Sequence, residues 1–273
     1  MTISLGRFGA WRRLAEITPD LARGAESLGY GAIWVGGSPP GDLEMVERII
    51  EATERIPVLT GIVNMWREEA EVVAASYHRI DERHPDRFIL GVGIGHPEST
   101  QQYQNPLEKI EDYLDRLDQG GVPKERRVLA ALGPKALRLA AERTLGAHPY
   151  LTTPRHTAFG REVIGPGPLL APTPMVTMTT DLAAARAEGQ AMVERYLRLS
   201  NYRRNLLREG WDLADLENGG SDRLVDALVL RGTPETVAAG LTAHLDAGAD
   251  HVAIYILDDD PTDPWRQLAE VLL

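Results

Sequence analysis

Residues 87–97 read Arg87-Phe88-Ile89-Leu90-Gly91-Val92-Gly93-Ile94-Gly95-His96-Pro97. Apolar residues and glycines alternate with period two, which predicts a strand with two unlike faces. Phe88, Leu90, Val92 and Ile94 share one face; Gly91, Gly93 and Gly95 share the other. Three glycines on one face of a central strand cost backbone entropy and bury no side chain. Two readings account for them: a bulky ligand approaches the backbone, or neighbouring strands and helices pack tightly there. The spacing G-x-G-x-G, with no helix opening inside it, is not the dinucleotide fingerprint. The strand runs into His96-Pro97, at the end where an α/β protein keeps its ligand.

Outward from this strand the chain alternates short apolar runs with helical patterns. Strands are predicted at Ile3 to Gly9, Ala32 to Val35, Val58 to Val63, the glycine strand, Val128 to Leu132, Tyr150 to Thr152, Met175 to Met178 and His251 to Ile256. Helix starts are signalled by Thr18-Pro19, Gly133-Pro134 and Thr233-Pro234, and Gly29 marks a helix end. Eight strands alternating with helices over 273 residues favour a parallel (β/α)8 TIM barrel, an α/β fold, over the runner-up, an open doubly wound sheet. Segments 155–170 and 200–230 are too long for simple connections; they are expected to be insertions, helical in the C-terminal part, or to form a lid or a dimer surface. With no repeat, low-complexity tract or linker, residues 1–273 read as a single domain.

Composition narrows the function. A net charge of −11 argues against a broad nucleic-acid surface, although a local basic pocket is compatible with it. The chain has no cysteine, which removes disulfides and thiolate metal sites. Arg7, Arg12 and Arg13 interrupt the start, so no signal peptide is expected, and no apolar run is long enough for a bilayer. A cytoplasmic protein with a small-molecule substrate is expected, with neither nucleic acid nor membrane as partner.

The strand ends of a barrel build its active site. Here they offer Gly36-Gly37-Ser38, Val63-Asn64-Met65-Trp66, Gly95-His96-Pro97, Leu132-Gly133-Pro134 and Thr152-Thr153. Such ends are poor in carboxylates, which suits a large planar cofactor better than hydrolysis by paired acids. Gly133-Pro134-Lys135 is the clearest phosphate candidate, because a helix start presents free N–H groups and a positive dipole end. Lys135, Arg138 and Arg155 add charge there, and Thr152 and Thr153 add hydroxyls; an ordinary helix start also explains the motif. The seven histidines lack H-x-H or H-E-x-x-H spacing, so no metal site is expected. His96 is the candidate proton donor or cofactor contact, or else a polar cap on its turn. His84 and His148, each before a proline, read as loop residues, Trp34 as core, and Trp66 as a ring-stacking or loop-packing residue. Asp258-Asp259-Asp260 reads as a solvated strand exit.

Several stretches together resemble the luciferase-like monooxygenase superfamily, specifically its branch of F420-dependent oxidoreductases found in actinobacteria. They are Gly31 to Gly36, Thr60-Gly61-Ile62-Val63-Asn64-Met65-Trp66, His84 to Phe88 running into Leu90 to Pro97, Ala130 to Ala140, Gly146 to Leu151 and Asp246 to Val252. The resemblance implies a (β/α)8 barrel, usually a homodimer, holding the deazaflavin coenzyme F420 or FMN at the carboxyl ends of the strands. It implies a bulge or non-prolyl cis peptide at about Val63-Asn64, beside Gly61, backing the cofactor. It also implies that Ile94, Gly95 and His96 approach the ring, and that Ala131, Leu132, Gly133, Thr152 and Thr153 receive the phosphate. The sequence departs from the family's sugar-phosphate dehydrogenases. Gly36-Gly37 stands where they have an Asp-His pair, His96 where they have a glutamate, and Leu132 where they have a second glycine.

The leading expectation is an oxidoreductase transferring a hydride between F420 and an organic substrate; the deazaflavin carries that chemistry, and the protein orients it. An FMN-dependent monooxygenase and a flavin-binding protein without turnover are the alternatives.

Overall fold

The computed structural model describes residues 3–95 and 105–273. In chain order the strands are β1 (Phe8–Arg13), β2 (Ile33–Gly36), β3 (Val58–Gly61), β4 (Val63–Asn64), β5 (Phe88–Gly93), β6 (Arg127–Leu129), β7 (Gly146–Ala147), β8 (Leu169–Leu170), β9 (Met175–Thr177), β10 (Val229–Arg231) and β11 (Val252–Ile256). The helices are α1 (Pro19–Ser27), α2 (Glu44–Glu51), α3 (Ala70–Arg83), α4 (Pro106–Gln119), α5 (Pro134–Arg143), α6 (Pro154–Ile164), α7 (Leu182–Leu197), α8 (Ser200–Arg208), α9 (Asp222–Leu228), α10 (Pro234–Asp246) and α11 (Thr262–Leu272).

Every strand pairing is parallel, and the order is β10-β9-β11-β1-β2-β3-β5-β6-β7-β8, with β4 also on β5. The extended run 169–177 closes the ring. Its start pairs with β7, Ala171 N–H donates to the Ala147 carbonyl, and Thr173 bridges Tyr150. On its other edge, Ala253 N–H and Tyr255 N–H of β11 donate to the carbonyls of Pro172 and Pro174. Taking 58–64 and 169–177 as one barrel position each gives the expected eight, and β10 adds a short extra strand against β9.

The period-two reading of each strand becomes two layers of core. Ile33, Val35, Val58, Phe88, Leu90 and Val92 pack outward under the helices; Trp34, Leu59, Ile89 and Val128 fill the barrel. Thr18 caps α1, its Oγ1 accepting from Leu21 N–H at 3.2 Å, and Gly133 opens α5 with Pro134 at its first position, as the start signals require.

Three boundaries differ from expectation. The first strand is 8–13, not 3–9, because Arg12 is buried: its guanidinium donates to the carbonyls of Ile256, Asp258 and Asp259, which capture the last turn of β11. The sixth strand begins at Gly146, with Tyr150 forming an isolated bridge, and the seventh position begins at Leu169. Segment 155–170 is therefore no insertion; most of it is the barrel helix α6, opened by Thr153 and Pro154. The non-prolyl cis peptide is Gly61–Ile62, two residues before the expected place, between β3 and β4.

Candidate active site

At the carboxyl ends of the strands lies a cavity of about 630 Å³. Its floor is Gly61, Ile62 and Asn64 beside Ile94 and Gly95, and one wall is Ala130, Ala131, Leu132 and Gly133. Gly95 takes φ +62°, and a Cβ on it would come within 2.4 Å of Asn64 Nδ2. A glycine is needed there for both reasons. Asn64 is itself fixed, its Oδ1 accepting from Trp66 N–H at 2.9 Å.

One end of the cavity is cationic. Lys135, Arg204 and Arg208 line it together with Gly133-Pro134, the start of α5, and Arg67 lines it near Asn64. Among the described residues none of these four forms an ion pair with a carboxylate, and no acidic residue lines the cavity. In a chain of net charge −11 this is a concentrated positive region. The Arg208 guanidinium lies 3.6 Å from where a Cβ on Gly133 would stand, and its Nη1 donates to Asn205 Oδ1 at 2.9 Å. Behind it, Glu209 accepts from Asn205 Nδ2 at 2.8 Å and from Thr153 Oγ1 at 2.9 Å. Burial pushes the Glu209 carboxyl up to about 7, against the opposing pull of those hydrogen bonds and of Arg155 and Arg208.

The other end is aromatic. Trp11 packs on Tyr255 and Tyr150, and Tyr150 on Tyr196 and Tyr202, with centroids 4.4–6.4 Å apart. Arg13 lines this end and lies over the Tyr255 ring. The Trp11 indole also fills the space above Gly36 and Gly61, and its buried Nε1 has no hydrogen-bond partner among the described residues. Beneath, Trp34 stacks on His148 at 4.0 Å and donates from Nε1 to His251 Nε2 at 3.0 Å. His148 Nδ1 donates to the Ala171 carbonyl and His251 Nδ1 to the Gly6 carbonyl. Burial brings the His148 imidazole down to about 3 and the His251 imidazole down to about 4, so both are neutral at pH 7. His148 follows β7 in irregular backbone, as the loop reading expects, but its ring is buried in the barrel filling.

Of the residues singled out from the sequence, Gly61, Asn64, Ile94, Gly95, Ala131, Leu132 and Gly133 line this one cavity. Val63 does not: it is buried in the outer core under the helices. Thr152 and Thr153 are buried and off the lining. Thr153 Oγ1 is spent capping α6 and donating to Glu209. His96 lies outside the described residues. Lys135 reaches the cavity, whereas Arg138 and Arg155 do not line it. Trp66 packs with Lys109 and is likewise off the lining. The glycine face resolves mostly in favour of close packing. A Cβ on Gly91 would lie 1.8 Å from the Thr60 carbonyl oxygen, and one on Gly93 would lie 2.9 Å from Ala130 and Ile62.

Trp11, Arg13, Tyr150, Tyr196, Arg204 and Arg208 were not singled out as site residues. For Tyr196, Arg204 and Arg208 the sequence signal is the run Tyr196 to Arg208, where aromatic and basic residues interleave along a helical stretch; Trp11, Arg13 and Tyr150 lie outside it.

Among the described residues, Glu47, Glu51 and His84 bring three ligand atoms within 4.8 Å of one another, away from the cavity. Glu47 already takes Arg79 and Arg83, each at 3.0 Å, and these guanidiniums occupy its carboxylate and repel a cation.

Residues 6–120 match the family model for luciferase-like monooxygenases, which bears out the resemblance to that superfamily over this part of the chain. The chain is similar in structure to an F420-dependent secondary alcohol dehydrogenase in complex with an F420-acetone adduct, at TM-score 0.76 and 13% identity, covering 97% of this chain and 98% of that one. It is also similar to the coenzyme F420-dependent tetrahydromethanopterin reductase of Methanopyrus kandleri (TM-score 0.69, 15% identity, 97% of both chains). A third is the oxygenating constituent of 3,6-diketocamphane monooxygenase of Pseudomonas putida in complex with FMN (TM-score 0.70, 14% identity, 97% of this chain and 96% of that one). No curated protein matches the sequence.

Proposed function

We propose that this chain is an oxidoreductase that transfers a hydride between coenzyme F420 and an organic substrate. The observation carrying the proposal is the cavity itself: an apolar, glycine-lined floor with Lys135, Arg204 and Arg208 gathered at one end and, among the described residues, no acid on its lining. The donor set fits the group. The start of α5 and these cations suit a phosphate, and the apolar floor suits a flat ring. The side chain of F420 carries a phosphodiester and carboxylates, so it uses several cations where the single phosphate of FMN needs fewer. The number of basic residues therefore favours F420 over FMN.

When bound, the deazaflavin supplies the hydride chemistry. The protein's part is positional. Gly133, Pro134, Lys135 and Arg208 hold the phosphate end, while Gly61, Ile62, Asn64 and Gly95 bound the ring's place. The aromatic wall of Trp11, Tyr150 and Tyr196 excludes water from the substrate's side. His96, next in the chain after Gly95, is the proton partner in this proposal.

Fluorescence titration with F420, in parallel with FMN, tests the coenzyme. F420 should bind at least about tenfold more tightly, or roughly 1.4 kcal/mol. Tighter binding of FMN would transfer the protein to the flavin-dependent alternative. With F420 bound, His96→Asn should lower kcat for an accepted substrate while leaving F420 affinity unchanged; an unaltered kcat removes His96 from the reaction.

A further inference from the structure

We propose that Glu209 and Asn205 are positioning residues for the anion-binding end of the cavity: Glu209 fixes Asn205, and Asn205 fixes Arg208 over Gly133. The inference rests on reading the cavity as the site of an anionic cofactor and deepens that reading.

The Arg208 guanidinium faces the start of α5 across the cavity wall, and among the described residues its one side-chain hydrogen bond runs from Nη1 to Asn205 Oδ1, three residues back on α8. A long side chain with a single neutral partner keeps much of its rotamer freedom unless that partner is itself rigid. Asn205 is rigid. It is 2% exposed, and its Nδ2 donates to Glu209 Oε1, one helical turn on. The amide orientation follows, because Nδ2 toward Glu209 leaves Oδ1 toward Arg208.

Glu209 is anchored in turn outside α8. Its second oxygen accepts from Thr153 Oγ1, the N-cap of α6, so α8 is tied to the barrel through a buried carboxyl. Among the described residues no guanidinium hydrogen-bonds that carboxyl: the Arg208 side chain goes to Asn205, and Arg155, near Gly210, acts on Glu209 through its charge. An ion pair between Glu209 and Arg208 would have spent the cation inside the protein. The amide in between leaves its charge directed at the cavity.

A relay acting through Arg208 must be silent once Arg208 is gone, whereas a residue that only stabilises the fold acts in either background. The test measures affinity for F420 by fluorescence and for inorganic phosphate by its effect on Tm. The variants are Asn205→Ala, Glu209→Ala and Glu209→Gln, each made in the wild-type chain and in Arg208→Ala. In the wild-type chain Asn205→Ala and Glu209→Ala should each weaken both probes by about tenfold. In Arg208→Ala they should add less than about twofold. Glu209→Gln keeps an acceptor for Asn205 and a donor for Thr153, and should restore affinity to near wild type.

Equal losses in both backgrounds, or no recovery with Glu209→Gln, overturn the relay even where F420 binds. Phosphate binding that shows this coupling in a protein that ignores F420 keeps the relay and refutes the F420 reading. Binding of either probe that is indifferent to Arg208 overturns the relay.

Discussion

At the scale of single residues, glycines that look alike in sequence do different work. Gly91 makes room for its neighbouring strand: Thr60 Oγ1 donates to the Gly91 carbonyl and accepts from Gly91 N–H, at 2.8 and 2.7 Å, and the Thr60 carbonyl covers its Cα. Gly91→Ala should cost about 3 kcal/mol or more in denaturant unfolding, since a rigid backbone stands where the methyl would go. A loss below about 1 kcal/mol would show that the strands can separate there. Gly133 is the opposite case. Its φ is −86° and the nearest atoms to a Cβ there, among the described residues, are the movable end of Arg208 at 3.6 Å or more, so a side chain is tolerated by the fold. Gly133→Asp should leave Tm near wild type and weaken F420 by at least about tenfold, because the new carboxylate takes Arg208 and repels the ligand. Unchanged affinity would put the phosphate elsewhere. The alternation of residues 88–94 made the strand legible, but which glycine faces protein and which faces the cavity depends on the partners of β5, which no local pattern specifies.

At the scale of elements, helix starts were legible because their chemistry is local, and the strands around residues 146–177 were not. Gly146-Ala147 and Leu169-Leu170 are two-residue strands whose pairing is supplied wholly by neighbours. Thr153-Pro154 carries the same start signal as Thr18-Pro19, yet the sequence reading makes Thr153 a hydroxyl for the phosphate, whereas the structure makes it the N-cap of α6. Its real work joins two elements: Oγ1 accepts from His156 N–H and donates to Glu209. Thr153→Ala removes a cap and leaves a buried carboxyl short of a partner, which should destabilise by about 2 kcal/mol. Equilibrium unfolding measures it, and a change under about 0.5 kcal/mol would mean that another group replaces the hydroxyl. Tyr196, Arg204 and Arg208 reach the cavity from α7, the helix expected after the seventh strand, and from α8, expected from sequence as a helical addition. Their role was hidden because the docking of an added helix is a tertiary fact.

At the scale of the whole molecule, neutral histidines are buried inside the barrel, His148 and His251, and between helices α6 and α10, His244. His148 stands at about 3, and His251 and His244 at about 4, against 6.5 when exposed, each lowered chiefly by burial. The unfolded chain then binds protons that the folded chain refuses, so their contribution is complete above pH 6.5 and is lost as pH falls toward 4. Glu209 runs the other way: raised from 4.5 to about 7, it favours the fold most below pH 4.5, and that contribution is lost as pH rises to 7. Three imidazoles outweigh one carboxyl, so Tm should fall steadily from pH 6.5 to 4.5; a flat profile would mean that these rings charge without unfolding the barrel. The same interior carries the functional claim, since the plug of Trp34, His148 and His251 supports the floor on which a flat ring would rest. The most direct measurement is a crystal structure of the protein with F420 bound. The account predicts the ring against Gly61–Ile62 and the phosphate within hydrogen-bonding distance of the start of α5 and of Arg208. A phosphate held anywhere other than by Gly133, Lys135 and Arg208, or a ring outside the cavity, would contradict it.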